Sequence, residues 1–425
     1  MFDKPRFWVK DYWSHLALFS KNGRLFLWGG FLIGLDFSIF SLLLNLYFKE
    51  LGFTEGFIGQ VLSFASLGAV LTTIPAAFVI SKFESRKILF LSTLFGGICY
   101  FLQATLVHRI GLLIVSLVLG MTSTFLRVLA APFFMRNSSP KERTYLFSMN
   151  FGVMMVGGII GSWGGGYLPD LFSHLFGTKI LGFRLSLVFA SILGLVGIIP
   201  FAMISEKKEL NPKNSFNSFL DLKRLKQRKE LLFKLCFPFF LLGLGAGLVI
   251  PFLNLYLRDR FNSPAKTMGV FFALLQIFML LGILLGPLMA KKWGMIKSIV
   301  WTQILSVPFM VILAFTYVLP LAVVCFLLRG SLMNMSNPIS ANFSMEKVSK
   351  EEQPLVNSLT MLSWALAWSI SSNLGGRLIE KFSFTLPLLI TPVLYVLSSL
   401  FYYRFFSSPE DLKIGKAVEL TSKAL

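Results

Sequence analysis

The chain is 425 residues long, 55% hydrophobic and 14% charged, with 46 Phe, a mean hydropathy of +0.72 and a formal charge of +20. A soluble domain carries roughly 25% charged residues, so this composition excludes a soluble fold, a disordered chain and a disulfide-stapled secreted one. Nor does the positive charge point to nucleic acid: the basic residues sit in short segments between long apolar runs, where orientation in a bilayer requires them.

Residues 1–24 mix Asp3 and Asp11 with Lys4, Arg6 and Lys10 and lack a small-residue cleavage site, so they do not read as a cleaved signal. Phe7, Trp8, Tyr12, Trp13 and Leu16 fit either a short helix in the headgroup layer or a plain cytoplasmic tail. Beyond them, a bilayer core of about 30 Å needs about 20 apolar residues per helix. Twelve such runs follow, at roughly 25–48, 57–80, 88–107, 110–134, 145–168, 180–204, 233–257, 267–290, 298–318, 320–344, 354–374 and 384–405. The chain therefore reads as an all-α membrane protein with one six-helix unit over 25–204 and another over 233–405. An even number of spans puts both termini on one side. About 29 of the 40 Lys and Arg fall in the tails and the segments on that side, and about 9 on the other, which predicts cytoplasmic termini in the cell membrane.

The polar stretch 205–232 divides the spans six and six, and 406–425 forms a tail. Asn211-Pro212 is a turn signal. Ser218 with Asp221 resembles a helix start, and Phe219, Leu222 and Leu225 with basic neighbours predict a helix on the membrane surface. It reads as a tether between the units or as a basic linker. Cys99, Cys236 and Cys325 lie in apolar runs with no CxxC spacing or His partner, so no disulfide, metal or cofactor is expected.

The halves repeat at an offset of 209 to 210 residues. Leu44-Asn45-Leu46-Tyr47 returns as Leu253-Asn254-Leu255-Tyr256. After a one-residue slip Gly59 matches Gly269, Ser81-Lys82 matches Lys291-Lys292, and Lys87 matches Lys297. Gly120 then matches Gly330, Ala131 matches Ala341, and Gly165-Gly166 matches Gly375-Gly376. A near-constant offset through five spans indicates duplication, and parallel six-helix repeats are a transporter architecture.

On these residues the chain resembles the major facilitator superfamily over nearly its whole length. The resemblance implies two pseudo-symmetric six-helix bundles, a cavity near mid-bilayer, and alternating access by rocking of the halves. The family's loop between its second and third helices usually reads G-x-x-x-D-R-x-G-R-R and latches the halves on the cytoplasmic side. Here Lys82 and Arg86 keep the charge, but Ser81 stands where the acid belongs, leaving Glu84 or Glu142 as candidate partners for Arg86. Lys292, Gly294 and Lys297 form a thinned copy in the second half. Gly157, Gly161, Ser162, Gly165 and Gly166 resemble the G-x-x-x-G-P-x-x-G-G stretch of the drug/proton antiporter branch, with Ser162 in place of proline. Such glycines let helix backbones approach closely and can seal the interface between halves, although plain small-residue packing explains them too.

An ionisable group at membrane depth costs at least about 2.5–3.5 kcal/mol and marks a candidate site. Asp36 in the first span, Arg127 in the fourth and Arg329 in the tenth qualify. Asp36 suits proton coupling, paired with Arg127 because the family's first and fourth spans line its cavity; a fixed structural salt bridge is the alternative. Arg329 suits an anionic group or free backbone carbonyls. Gln60, Asn150, Gln276, Asn334, Asn337, Asn357, Trp364 and Trp368 are further cavity candidates, whereas Asn45 and Asn254 lie near helix ends and read as packing residues.

The leading expectation is a monomeric secondary transporter for proton-coupled efflux of a small amphipathic compound. One acid against two arginines also fits import or flipping of an anionic or zwitterionic metabolite or lipid. A membrane enzyme is disfavoured, because His15, His108 and His174 are scattered and no H-E-x-x-H or G-x-x-x-x-G-K-[ST] motif occurs.

Overall fold

A computed structural model describes residues 19–205, 228–349 and 352–407. The expected N-terminal surface helix, most of the central tether and most of the C-terminal tail lie outside the described residues. Twelve long helices follow in order: α1 (Lys21–Glu50), α2 (Glu55–Lys82), α3 (Ser85–Thr105), α4 (Arg109–Asn137), α5 (Pro140–Phe176), α6 (Lys179–Val196, resuming as Ile198–Ala202), α7 (Lys229–Val249, a 3-10 turn at Ile250–Phe252, then Leu253–Phe261), α8 (Ala265–Trp293), α9 (Met295–Phe315), α10 (Leu319–Glu346), α11 (Gln353–Phe382) and α12 (Thr385–Phe406). Among the described residues no strand occurs.

Local signals set several boundaries. Ser20 accepts from the Gly23 N–H to start α1. At the start of α5 the Ser139 N–H donates to Glu142 Oε1 at 2.8 Å in a capping box, with Pro140 in the first turn, where its missing N–H costs nothing. That helix ends at Gly177, whose φ of 87° a side chain would resist. In α7, Pro251 sits in the 3-10 turn that breaks the helix near its far end.

Eleven of these helices are long and apolar enough to cross a membrane. The expected eleventh span is a 30-residue helix, α11, less apolar than the other spans because Ser, Asn and Gly recur along it. Its length exceeds a bilayer core, and it packs along α2 and α7, where Ser369 and Ser371 donate to the Ser63 and Gly243 carbonyls of those helices.

The apolar packing fixes the shape. The ends carrying Lys21, Ala202, Lys229 and Phe406 are called here the terminal end, and the opposite one the distal end. One buried cluster at the distal end runs through both halves, from Ile39, Leu43 and Tyr47 to Val249, Phe252, Tyr256 and Met268. Toward the terminal end it gives way to two separate clusters. One contains Phe26, Leu129, Phe133 and Phe201 of the first half, the other Leu235, Ile299, Phe343 and Tyr402 of the second. Among the described residues the bundle is thus joined at the distal end and divided at the terminal end.

Candidate functional site

The distal seal is built from backbone approach. A Cβ placed on Gly59 of α2 would stand 2.5 Å from the Ser372 carbonyl oxygen of α11, and one on Gly269 of α8 would stand 2.5 Å from that of Ser162 of α5. The partners repeat the relation: Gly376 abuts the Glu55 carbonyl, and a Cβ on Gly166 would stand 2.8 Å from that of Ala265. Each contact is the other shifted by the repeat offset, which is the signature of a pseudo-twofold axis between the halves. The glycines of α5 also serve two faces. Gly157 and Gly161 press on the Phe31 and Leu35 carbonyls of α1, and Gly165 on the Ile39 side chain, while Ser162 and Gly166 face α8.

Polar contacts close the same end. Asn45 Nδ2 donates to the Pro251 carbonyl at 2.6 Å and Asn254 Nδ2 to the Leu42 carbonyl at 2.8 Å. Ser63 and Ser369 hydroxyls lie 3.2 Å apart. Glu50 of α1 accepts from Arg258 of α7 and from Lys179, each at 2.9 Å. Glu380 of α11 accepts from the Gly56 N–H at 3.0 Å, placing a carboxylate on the positive N-terminus of α2. Gln276 donates to Ser162 Oγ at 3.3 Å and lies on Gly158, so its amide bridges α8 to α5 rather than pointing into a free cavity.

At the terminal end the latch residues do not join the halves among the described residues. Lys82 lies 4.0 Å from the ring centre of Phe78 on its own helix. Neither proposed acid reaches Arg86: Glu84 is 3.6 Å from Lys87, and Glu142 is consumed in the α5 capping box. Arg86 and Lys292 are exposed, and Gly294 forms the α8–α9 corner at φ 83°. The latch has instead a counterpart at the other end, in Glu380 and Gly56.

Asp36 lies halfway along α1 and is 3% exposed. Its carboxyl packs against Gly194 of α6, which leaves room for it only because it has no side chain, and Oδ1 has no hydrogen-bond partner. The expected ion pair with Arg127 does not form. Asp36 faces inward within the first bundle, whereas Arg127 is exposed on α4 with Ser123 Oγ, at 3.4 Å, as its hydrogen-bond partner. Arg127 shares its helix face with Gly120, one register of seven residues earlier, and Gly120 lies on the Ala65 carbonyl of α2. Tyr100 of α3 packs on Phe40 of α1 with ring centres 4.2 Å apart and planes tilted by 40°.

Arg329 also departs from expectation. It is 7% exposed and enclosed in the second bundle, where Nη2 donates to the Tyr395 hydroxyl of α12. Asn334 and Asn337 form a short chain on α10: Asn337 donates to Asn334 Oδ1 at 3.1 Å, and Asn334 to the Gly330 carbonyl at 2.9 Å. Asn337 and Asn357 are exposed, and Gln60 and Asn150 half-buried, the latter beside Gly30. Trp364 packs on Trp368 with ring centres 5.6 Å apart. The geometry thus separates three sets: a distal seal, a buried charge in each bundle, and exposed polar groups led by Arg127.

The sequence pattern that defines the major facilitator superfamily matches residues 26–372 and 235–423. The chain belongs to this superfamily. Its fold matches that of the nucleoside transporter NupG, with a TM-score of 0.75 at 16% identity, covering 92% of this chain and 100% of that one. It also matches a bacterial homologue of the human lysosomal transporter Spinster, inward-facing and occupied (TM-score 0.74, 14% identity, 92% and 96% covered). The human organic anion transporter MFSD10 aligns less closely, at 0.59 and 16% identity over 90% of this chain and 99% of its own. No curated protein sequence matches. At these identities the solved structures establish the fold alone; membership of the superfamily makes the chain a multi-pass secondary transporter that binds small molecules and works by alternating access.

Glu50, Arg258, Glu380, Tyr395 and Gly194 did not stand out in the sequence as functional residues. Glu380 had a readable signal: Gly375-Gly376-x-x-x-Glu380 repeats Gly165-Gly166-x-x-x-Asp170.

Proposed function

We propose that the chain exchanges protons for a small amphipathic compound bearing a negative charge, with Asp36 as the proton-binding group and Arg127 as the anchor for the substrate. The carrying observation is the separation of the two. Asp36 is buried beside Gly194 without a partner for Oδ1, while Arg127 is exposed and holds no carboxylate. A carboxylate buried without a counter-charge is costly, so a proton satisfies Asp36 in this state, and its release requires a state that wets α1 and α6. An exposed guanidinium in a mostly apolar surround suits an amphipathic anion better than a lipophilic cation. The five-residue glycine motif of α5 supports exchange by holding α1, α5 and α8 at backbone distance. With the termini cytoplasmic, as the Lys and Arg distribution requires, the divided end opens inward and the joined end is sealed outward.

The test uses sealed proteoliposomes carrying a pH gradient and a panel of amphipathic carboxylates. A substrate should dissipate the gradient, and Asp36→Asn should abolish that while leaving gradient-independent counterflow intact. Arg127→Gln should weaken substrate binding at least tenfold. Gradient-driven transport that survives Asp36→Asn would remove Asp36 from the mechanism.

A further inference from the structure

Arg329 presents a positive charge in the middle of the second bundle with nothing negative beside it. The acids of the described second half, Glu230, Asp259, Glu346, Glu352 and Glu380, all lie at or near helix ends, and none pairs with it. The guanidinium donates through Nη2 to the Tyr395 hydroxyl and stands 5.6 Å from the centre of the same ring. Its Nε is buried without a partner. Tyr395, fully buried, accepts from Arg329 and keeps its own O–H, for which the described residues supply no acceptor. Two unfilled donors and one full charge therefore meet in a site that contains no acid.

A buried charge stripped of its partner is strongly destabilising. The fold does not demand the charge, since the repeat-equivalent of Arg329, one residue before Gly120 as Arg329 precedes Gly330, is Leu119. Leu242, Ala246 and Met333 pack with the Tyr395 ring, and a Cβ on Gly245 would lie 2.9 Å from that ring, which leaves little room for an organic body.

We propose that Arg329 and Tyr395 hold a small monovalent anion of halide size inside the second bundle, apart from the substrate anchor at Arg127. Arg329 Nε and the Tyr395 hydroxyl donate to it, and the apolar wall of Leu242, Ala246 and Met333 excludes larger and more strongly hydrated anions. Trp364 and Trp368, packed at the edge of the same cluster, supply a reporter.

The probe is sodium chloride, titrated against sodium gluconate at constant ionic strength into the full chain in nanodiscs, with tryptophan emission and thermal midpoint recorded. Wild type should show a saturable rise in midpoint with chloride, and iodide should quench emission in competition with chloride. Tyr395→Phe, which keeps the ring and removes one donor, should weaken the chloride response about three- to tenfold. Arg329→Gln should abolish it, Trp364→Phe should remove part of the quenching, and Tyr402→Phe in the same helix should leave the response unchanged. A wild type indifferent to chloride, or a Tyr395→Phe response as tight as wild type, overturns the proposal. So does a response to organic carboxylates but not to chloride, which would assign the guanidinium to the substrate. Should Arg329→Gln fail to fold, the Tyr395→Phe and Tyr402→Phe pair still decides.

Discussion

Asn45 and Asn254 meet across the pseudo-twofold axis, with Asn45 Nδ2 3.2 Å from Asn254 Oδ1, and they stand 209 residues apart. Each also donates to the other half, Asn45 to Pro251 and Asn254 to Leu42, and these acceptors are related by the same 209-residue shift. One duplicated residue thus makes one duplicated bond twice. Asn45→Ala or Asn254→Ala removes a buried hydrogen bond worth about 1 kcal/mol, and should shift the conformational equilibrium about fivefold toward a distal opening. Labelling of a distal cysteine by a membrane-impermeant maleimide measures this, and the double mutant should fall short of the sum because the two side chains share one contact.

Side-chain volume at the glycine seal should act more severely. Gly59→Val or Gly269→Val places methyl groups inside a space where even a Cβ stands 2.5 Å from a carbonyl. Overpacking costs about 1–3 kcal/mol or more, enough to hold the distal end apart. Transport should be lost while the thermal midpoint changes little, and interspin distances across the distal end should lengthen. Retained transport in both variants would mean that the seal does not require backbone contact.

Gly194→Ala probes Asp36 without touching its chemistry. The added Cβ would occupy the place of the Asp36 carboxyl, so the carboxyl must leave its pocket. The expected outcome is proton-driven transport reduced at least tenfold with gradient-independent counterflow preserved, the pattern of Asp36→Asn. A variant with normal coupling would show that the pocket is not the proton site.

The Glu50–Arg258 pair predicts a salt dependence. Partly exposed ion pairs contribute about 1 kcal/mol or less and are screened at high ionic strength. Glu50→Gln should raise distal accessibility a few-fold at low salt, and the difference from wild type should shrink in 1 M salt. Arg258→Gln should add little to Glu50→Gln, because the pair across the halves is already broken once Glu50 is gone.

Most of the fold was legible because its cause is local: apolar length gives the spans, Lys and Arg the proposed orientation, and the shared Leu-Asn-Leu-Tyr and Gly-Gly stretches the duplication. The azimuth of a side chain was not legible. Asp36 and Arg127 both lie well inside their spans, yet Asp36 is buried and Arg127 exposed, and position along the helix alone cannot separate the two. Asn45 and Asn254 read as helix-end packing because the partner of each lies in the other half. The carboxylate missing at Ser81 was correctly read, but its counterpart Glu380 sits at the opposite end of the same pair of helices, where a pattern learned from one loop does not lead.

The single apolar core that bridges both halves only at the distal end has a thermal consequence. Opening that end hydrates Leu43, Val249, Phe252 and their neighbours, a process with a positive heat-capacity change. Cooling weakens the force that holds such surfaces together, so the conformer population itself, and not only the speed of exchange, should drift with temperature, giving curved rather than straight rate plots.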